Sequence, residues 1–231
     1  GAQEIADKSG GEVSAITFSS SIGDQLTGYA LNEILVINNP QLENYNPLHY
    51  VKAMEDALAS ESPDILIVGH SYEARDWVPR LSARLDIPLI SDCIGFKNEG
   101  EFTLVRSVYQ GKFNADVCVN SDKCIISFQA GAFKIDAIKN GSASIRNVSV
   151  DLSDVNTTIQ PGEKFQELES SVDLSQADII VSVGRGIGKE ENLTIAKELA
   201  DALKGQLASS RPVVDSGWLE SYHQVGSSGQ T

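Results

Sequence analysis

What most constrains this chain is an alternation. Short runs rich in β-branched residues are separated by stretches that carry apolar residues at helical spacing. Val13–Phe18, Glu33–Ile37 and Ile65–Gly69 are largely apolar, as strands buried on both faces require. Between them, Leu48–Ser60 sets Val51, Met54, Ala57 and Leu58 on one helical stripe. Trp77–Leu85 does the same with Val78, Leu81 and Leu85, and Pro79 reads as lying near that helix's start, where a proline is tolerated. Pro88–Ile94 reads as a further strand. Strand–helix–strand alternation with short connections predicts an α/β fold built on a parallel sheet with helices on both faces.

From Glu101 the pattern becomes strand-only: Phe102–Val108, Lys112–Asn120, Lys123–Phe128 and Ser144–Leu152. This predicts an antiparallel β appendage of hairpins, with Gly111 and Ser121-Asp122 as turns. The polar stretch Asp154–Phe165, with Pro161-Gly162, reads as a linker. A second strand–helix unit follows: a strand at Ala177–Val183, a loop at Gly184–Gly188 and a helix over Lys189–Leu203 closed by Gly205. Gln206–Ser209 then leads into a short strand at Val213-Val214. Two domains are expected, 1–155 and 156–231, each a mostly parallel sheet with helices on both faces.

Charge narrows the function. The 18 Lys+Arg against 32 Asp+Glu give a net charge of −14. Residues 1–150 hold 12 basic and 19 acidic groups and residues 151–231 hold 6 and 13, so neither part is basic. A phosphate-backbone footprint for nucleic acid is missing, and an anionic membrane surface is disfavoured. No apolar run approaches the ~20 residues of a membrane span. Cys93, Cys118 and Cys124 form no CxxC pair and suit a reducing compartment. His49, His70 and His223 lie in no metal-ligand spacing. The Asn-x-Ser/Thr triplets at Asn140, Asn147, Asn156 and Asn192 matter only in a secreted chain. Gly1–Gly10 reads as the second half of a helix stopped by Gly10-Gly11, and Gly229-Gln230-Thr231 ends inside a turn, so a fragment is expected.

Three segments could carry chemistry. Val183-Gly-Arg-Gly-Ile-Gly188 lies between a strand and a helix, where glycines let backbone N–H groups approach an anion. Its GxGxG spacing is not the GxGxxG of dinucleotide folds, and a plain tight turn with a solvated Arg185 is the competing reading. Ala208-Ser-Ser-Arg-Pro-Val-Val-Asp-Ser-Gly-Trp218 sets two hydroxyls before Arg211, held by the proline after it. His223-Gln-Val-Gly-Ser-Ser-Gly-Gln-Thr231 offers backbone donors and hydroxyls in a turn.

In their order and spacing, SVGRGI, ASSRPVVDSGW and QVGSSGQT resemble the FAD-binding domain of the electron transfer flavoprotein α subunit, the FixB-like family. Upstream, Arg75–Cys93 and Val108–Phe113 resemble the same family's first domain. That resemblance implies an α/β first domain that holds the subunits together, a second domain that holds FAD, and a β subunit as heterodimer partner. It implies a carrier without catalytic residues of its own, taking electrons from flavin dehydrogenases such as acyl-CoA dehydrogenases to a membrane quinone oxidoreductase or similar acceptor. It also implies Arg185 near the FAD pyrophosphate, Ser210 and Arg211 flanking the isoalloxazine, and Val225, Gly226, Ser227 and Ser228 against the flavin. Ser228 stands where other members carry Thr, and Ser227 where some carry Gln.

A fixed cation such as Arg211 beside the ring offsets the charge of an added electron, by about 4 kcal/mol for unit charges ~4 Å apart at an effective dielectric of ~20. The family's adenine-side contacts lie beyond Thr231, so the FAD domain is expected to be incomplete. The Gly69-His70-Ser71 strand end reads as structural, and Tyr72, Arg75 and Trp77 as candidates for a first-domain surface. The compartment implied is cytoplasmic in a bacterium and the mitochondrial matrix in a eukaryote. Two further readings of the residues are an NAD- or nucleotide-dependent α/β enzyme and a regulatory nucleotide-binding domain.

Overall fold

The computed structural model describes residues 1–99, 101–155, 158–162, 174–226 and 229. The chain divides into two compact units, 1–162 and 163–231.

The first unit opens with α1 (Ala2–Ser9), which Gly10 ends in the left-handed region at φ 73° while Gly11 N–H closes on Ala6 O, as the glycine pair predicts. Then come β1 (Ala15–Thr17), α2 (Ser20–Leu26) and β2 (Glu33–Val36). α3 (Pro47–Glu61) starts where Asn46 accepts from Leu48 N–H and Pro47 takes the first helical position. β3 (Ile65–Gly69) leads to α4 (Tyr72–Leu85), whose N-cap Ser71 accepts from Ala74 N–H at 3.1 Å. This helix begins five residues before Trp77, so Pro79 lies inside it rather than at its start. Sequence periodicity missed that first turn because Tyr72, Glu73 and Arg75 face water.

β5 (Glu101–Val108) and β6 (Phe113–Cys118) are joined antiparallel, as expected, whereas β4 (Leu89–Glu99) runs on beyond the strand expected at Pro88–Ile94 and pairs antiparallel with β5 as well. The expectation that the next two strands extend this appendage is wrong. β7 (Cys124–Phe128) inserts between β3 and β4, parallel to both, giving the sheet order β3-β7-β4-β5-β6. β8 (Ser144–Asn147) pairs parallel with β2 in a second sheet, β1-β2-β8. For β7 the physical reason is burial. All five β7 residues are buried, and only a central strand covered on both faces accommodates such a run.

Both covers are visible in the side chains. Cys124, Ile126 and Phe128 of β7, with Ile65 and Ile67 of β3, join a cluster with Ile5 of α1 and with Cys93 and Leu104. Ile125, Leu66 and Val68 point to the other face, into a cluster with Val51 and Met54 of α3 and Trp77, Val78 and Leu81 of α4. Successive residues serve opposite faces, the period-2 rule of a strand.

In the second unit β9 (Ile180–Val183) runs parallel to β10 (Gln206–Ser209). Between them α5 (Leu193–Leu203) buries Ala196 and Ala200. The chain turns at Lys204, not Gly205: Lys204 is left-handed at φ 56°. Gly205 serves a close approach instead, since a Cβ there would lie 2.6 Å from Ile179 O. The strand read at Val213-Val214 is a helical turn, α6 (Arg211–Asp215). Pro212 sets its opening φ, which overrides the β-branched pair.

Candidate functional site

β9 ends at Val183, and the glycine loop leaves it as one tight turn over Arg185–Ile187. Gly188 follows at φ 86°, and the Asn192 Nδ2 amide donates to Ile187 O at 2.7 Å, tying the loop to the start of α5. A Cβ on Gly186 would meet nothing within 4 Å, so this side of the loop is open. Arg185 is exposed, and among the described residues no acid pairs with it.

β10 delivers the second segment beside the first. Ser210 N–H donates to Val183 O at 2.9 Å, and the Ser210 hydroxyl lies 3.8 Å from where a Gly184 Cβ would stand. Arg211 is exposed and touches Asp215 only at 3.5 Å with both groups in water, a contact too solvated to hold it firmly. Beneath them the Ser209 hydroxyl is fully buried and has no hydrogen-bond partner.

The third segment is laid along β10. Gln224 pairs in parallel with Ser209, and Val225 N–H donates to Ser209 O at 2.9 Å. His223 Nδ1–H donates to Leu207 O at 2.7 Å, which fixes its tautomer, since a carbonyl only accepts. Gly226 takes φ 103°, and Gly229 N–H returns to Gly226 O at 2.9 Å. A Cβ on Gly229 would fall 2.2 Å from Gln224 O, so the turn closes only with glycine there. Ser227 and Ser228 lie outside the described residues.

Arg185, Ser210, Arg211, Val225 and Gly226 thus come together beyond the carboxyl ends of three parallel segments, β9, β10 and 224–225. Open α/β sheets bind ligands along this edge. Two exposed guanidinia, that of Arg211 held only by a solvated contact with Asp215, a hydroxyl, open loop backbone and an orphaned buried hydroxyl suit a ligand with an anionic diphosphate and a polar ring system. FAD carries both, so the residues present fit it. Sequence reasoning passed over Asn192 and the anchoring role of His223. Each acts through one side-chain bond to a backbone carbonyl, five residues away for Asn192 and 16 for His223.

The first unit holds a different constellation at its own strand ends. His70 Nδ1 lies 2.9 Å from Ser127 Oγ, His70 Nε2 lies 3.4 Å from Asp92 Oδ1, and Gln129 Nε2 donates to the same oxygen at 2.9 Å. Asp92 N–H donates to Ser127 Oγ at 3.1 Å. These groups satisfy one another and tie β3, β7 and β4 together. Of the surface candidates, Tyr72 is exposed with Arg75 stacked 5.3 Å over its ring, whereas Trp77 is buried in the core. Among the described residues no group of three or more His, Cys, Asp or Glu could hold a metal, and no helix is long and apolar enough to cross a membrane.

Comparison with known proteins shows the family. The electron transfer flavoprotein domain profile matches residues 1–153, and the electron transfer flavoprotein FAD-binding domain profile matches residues 173–231. Electron transfer flavoprotein subunit alpha of Thermoanaerobacterium thermosaccharolyticum is 33% identical over 239 residues, covering 100% of this chain and 72% of that protein. Protein FixB of Clostridium saccharobutylicum is 31% identical over 235 residues, covering 99% and 70%. Acryloyl-CoA reductase electron transfer subunit beta of Anaerotignum propionicum is 29% identical over 264 residues, covering 99% and 72%. With both profiles in series and relatives matched along the whole chain, the protein belongs to the electron transfer flavoprotein α-subunit family.

Proposed function

We propose that this chain is the FAD-carrying subunit of a heterodimeric electron carrier. It takes electrons from flavin dehydrogenases, acyl-CoA dehydrogenases among them, and passes them to a membrane quinone oxidoreductase or similar acceptor. One observation carries the reading: three chain segments end side by side at one edge of a parallel sheet, with two exposed arginines among them. When bound, FAD supplies the redox chemistry. Arg185 and the open backbone of its loop hold the diphosphate. Arg211 sets a fixed positive charge against the ring, which favours whatever form carries more negative charge. Ser210, Val225, Gly226, Ser227 and Ser228 complete the contacts with hydroxyls and backbone.

The role asks no proton transfer of the chain's own side chains; it asks that they bind, orient and bias. The test is the full subunit purified with its partner. The expected protein is yellow, with stoichiometric flavin. Arg211→Ala lowers the first-electron potential by about 60 mV or more, a tenfold change in a one-electron equilibrium. A colourless heterodimer, or a yellow one that turns over NAD by itself, overturns the proposal.

A further inference from the structure

On the first unit's five-stranded sheet, Phe102, Leu104, Arg106 and Val108 of β5 share one face with their partners. Those partners are Cys93 and Phe96 on β4, and Val117, Ala115 and Phe113 on β6. Near the middle of the strands this face is core, with Leu104 and Cys93 fully buried beneath Ile5 of α1. Towards the hairpin tip the cover ends. Phe113 is 64% exposed and Tyr109 77% exposed, and their rings meet edge to face at 6.0 Å. Tyr109 and Gln110 both take left-handed φ, 51° and 57°, to turn the tip.

Between the core and this aromatic pair stands Arg106. Its Nε is buried and has no hydrogen-bond partner, and among the described residues no carboxylate reaches the guanidinium. The chain's acids outnumber its bases by 14. A buried donor without an acceptor is costly, and Arg with Tyr is the composition of interface anchors. The exposed Arg75–Tyr72 pair is a weaker candidate, because its guanidinium lies in water with its hydrogen bonds met there.

Resting on the reading of the chain as one half of a heterodimer, we propose that the Arg106, Tyr109 and Phe113 face of the β5–β6 hairpin is where the partner subunit docks. The partner presents a carboxylate to Arg106 and apolar surface to the two rings. The acceptor that Arg106 lacks among the described residues is the reason for placing an acidic residue at the centre of the partner's face.

The test is a dilution series of the purified full heterodimer, read as species mass by sedimentation velocity. Phe113→Ser removes a ring already in solvent and leaves the fold intact. It is expected to raise the dissociation constant tenfold or more. Arg106→Gln is expected to do the same and to abolish the salt dependence of association, while Arg106→Lys recovers part of both. Dissociation constants within twofold of wild type for Phe113→Ser and Arg106→Gln, with unchanged circular dichroism and melting temperature, overturn the proposal. So does a homodimer of this subunit formed through the same residues. Flavin absorbance is read on the same samples. A colourless heterodimer that still depends on Arg106 sinks only the flavin reading, and a yellow one indifferent to these changes sinks only the docking face.

Discussion

Asn192 donates its side-chain amide to the carbonyl oxygen of Ile187 at 2.7 Å, across five residues. The bond pulls that carbonyl towards the helix and leaves the opposite, open side of the glycine loop to a ligand.

From this bond follows the first prediction. Asn192→Ala loses one side chain–backbone hydrogen bond, about 1 kcal/mol, equivalent to about 2–4 °C in melting temperature for a protein of this size. Asn192→Asp is worse, because a carboxylate facing a carbonyl replaces a donor with a repulsive acceptor. Flavin dissociation constants, measured by fluorescence, are expected to rise in the order wild type, Ala, Asp. Equal constants for all three would remove Asn192 from the site.

How much of this was legible beforehand depended on whether a residue's role is local. Strand, loop and helix around Gly184–Gly188 follow from neighbours in sequence, as do the Gly10 stop and the Gly111 hairpin. The place of β7 does not: Cys124–Phe128 and the alternating Phe102–Val108 were read alike as appendage, although the unbroken burial of the former belongs to a central strand. Val213-Val214 misled because β-branching outweighed the proline before it. At the site, the glycines and Arg185, Ser210 and Arg211 were legible as residue types. Their convergence rests on Ser210 N–H meeting Val183 O and Val225 N–H meeting Ser209 O, pairings that no local pattern encodes.

Adjacent residues after α5 are predicted to respond in opposite directions. Gly205→Ala drives a Cβ to 2.6 Å from the backbone oxygen of Ile179, which cannot swing away as a side chain would. A loss of about 1–3 kcal/mol is expected. Lys204→Gly relieves a left-handed lysine at φ 56° and is expected to gain up to about 1 kcal/mol. Urea midpoints decide both, and a stable Gly205→Ala would show that β9 gives way.

Arg146 on β8 grips Glu33 on β2 through two bonds, at 2.8 and 2.9 Å, and also reaches Glu61 of α3 at 2.8 Å. The hydrogen bonds from Arg146, with its charge, hold the Glu33 carboxyl below its ordinary range. A carboxyl depressed on folding contributes stability above its unfolded value of about 4.3 and loses it as pH falls through the lower folded value. Arg146→Met should therefore be less stable than wild type near pH 6, and the two should converge as pH drops towards 3. Arg146 is exposed and both carboxylates are reached by solvent, so added salt should narrow the gap as well. A gap that stays constant from pH 6 to pH 3 would assign the Arg146 contribution to packing.

The three thiols are predicted to differ sharply. Cys93 is fully buried, and burial pushes its thiol up to about 11 against the pull of Arg106 nearby. Burial raises Cys124 as well. Cys118 is exposed on the edge strand, 3.4 Å from the Thr103 hydroxyl. Because the thiolate is the reacting form, iodoacetamide at pH 7.5 should add a single label to the folded protein, at Cys118. The other two should react only in denaturant, as peptide mass mapping would show. Arg106→Gln removes the cation that opposes burial at Cys93, so that thiol should become harder still to label, even at pH 9. Faster labelling of Cys93 in that variant would mean that the guanidinium shields the sulfur sterically rather than stabilising its anion.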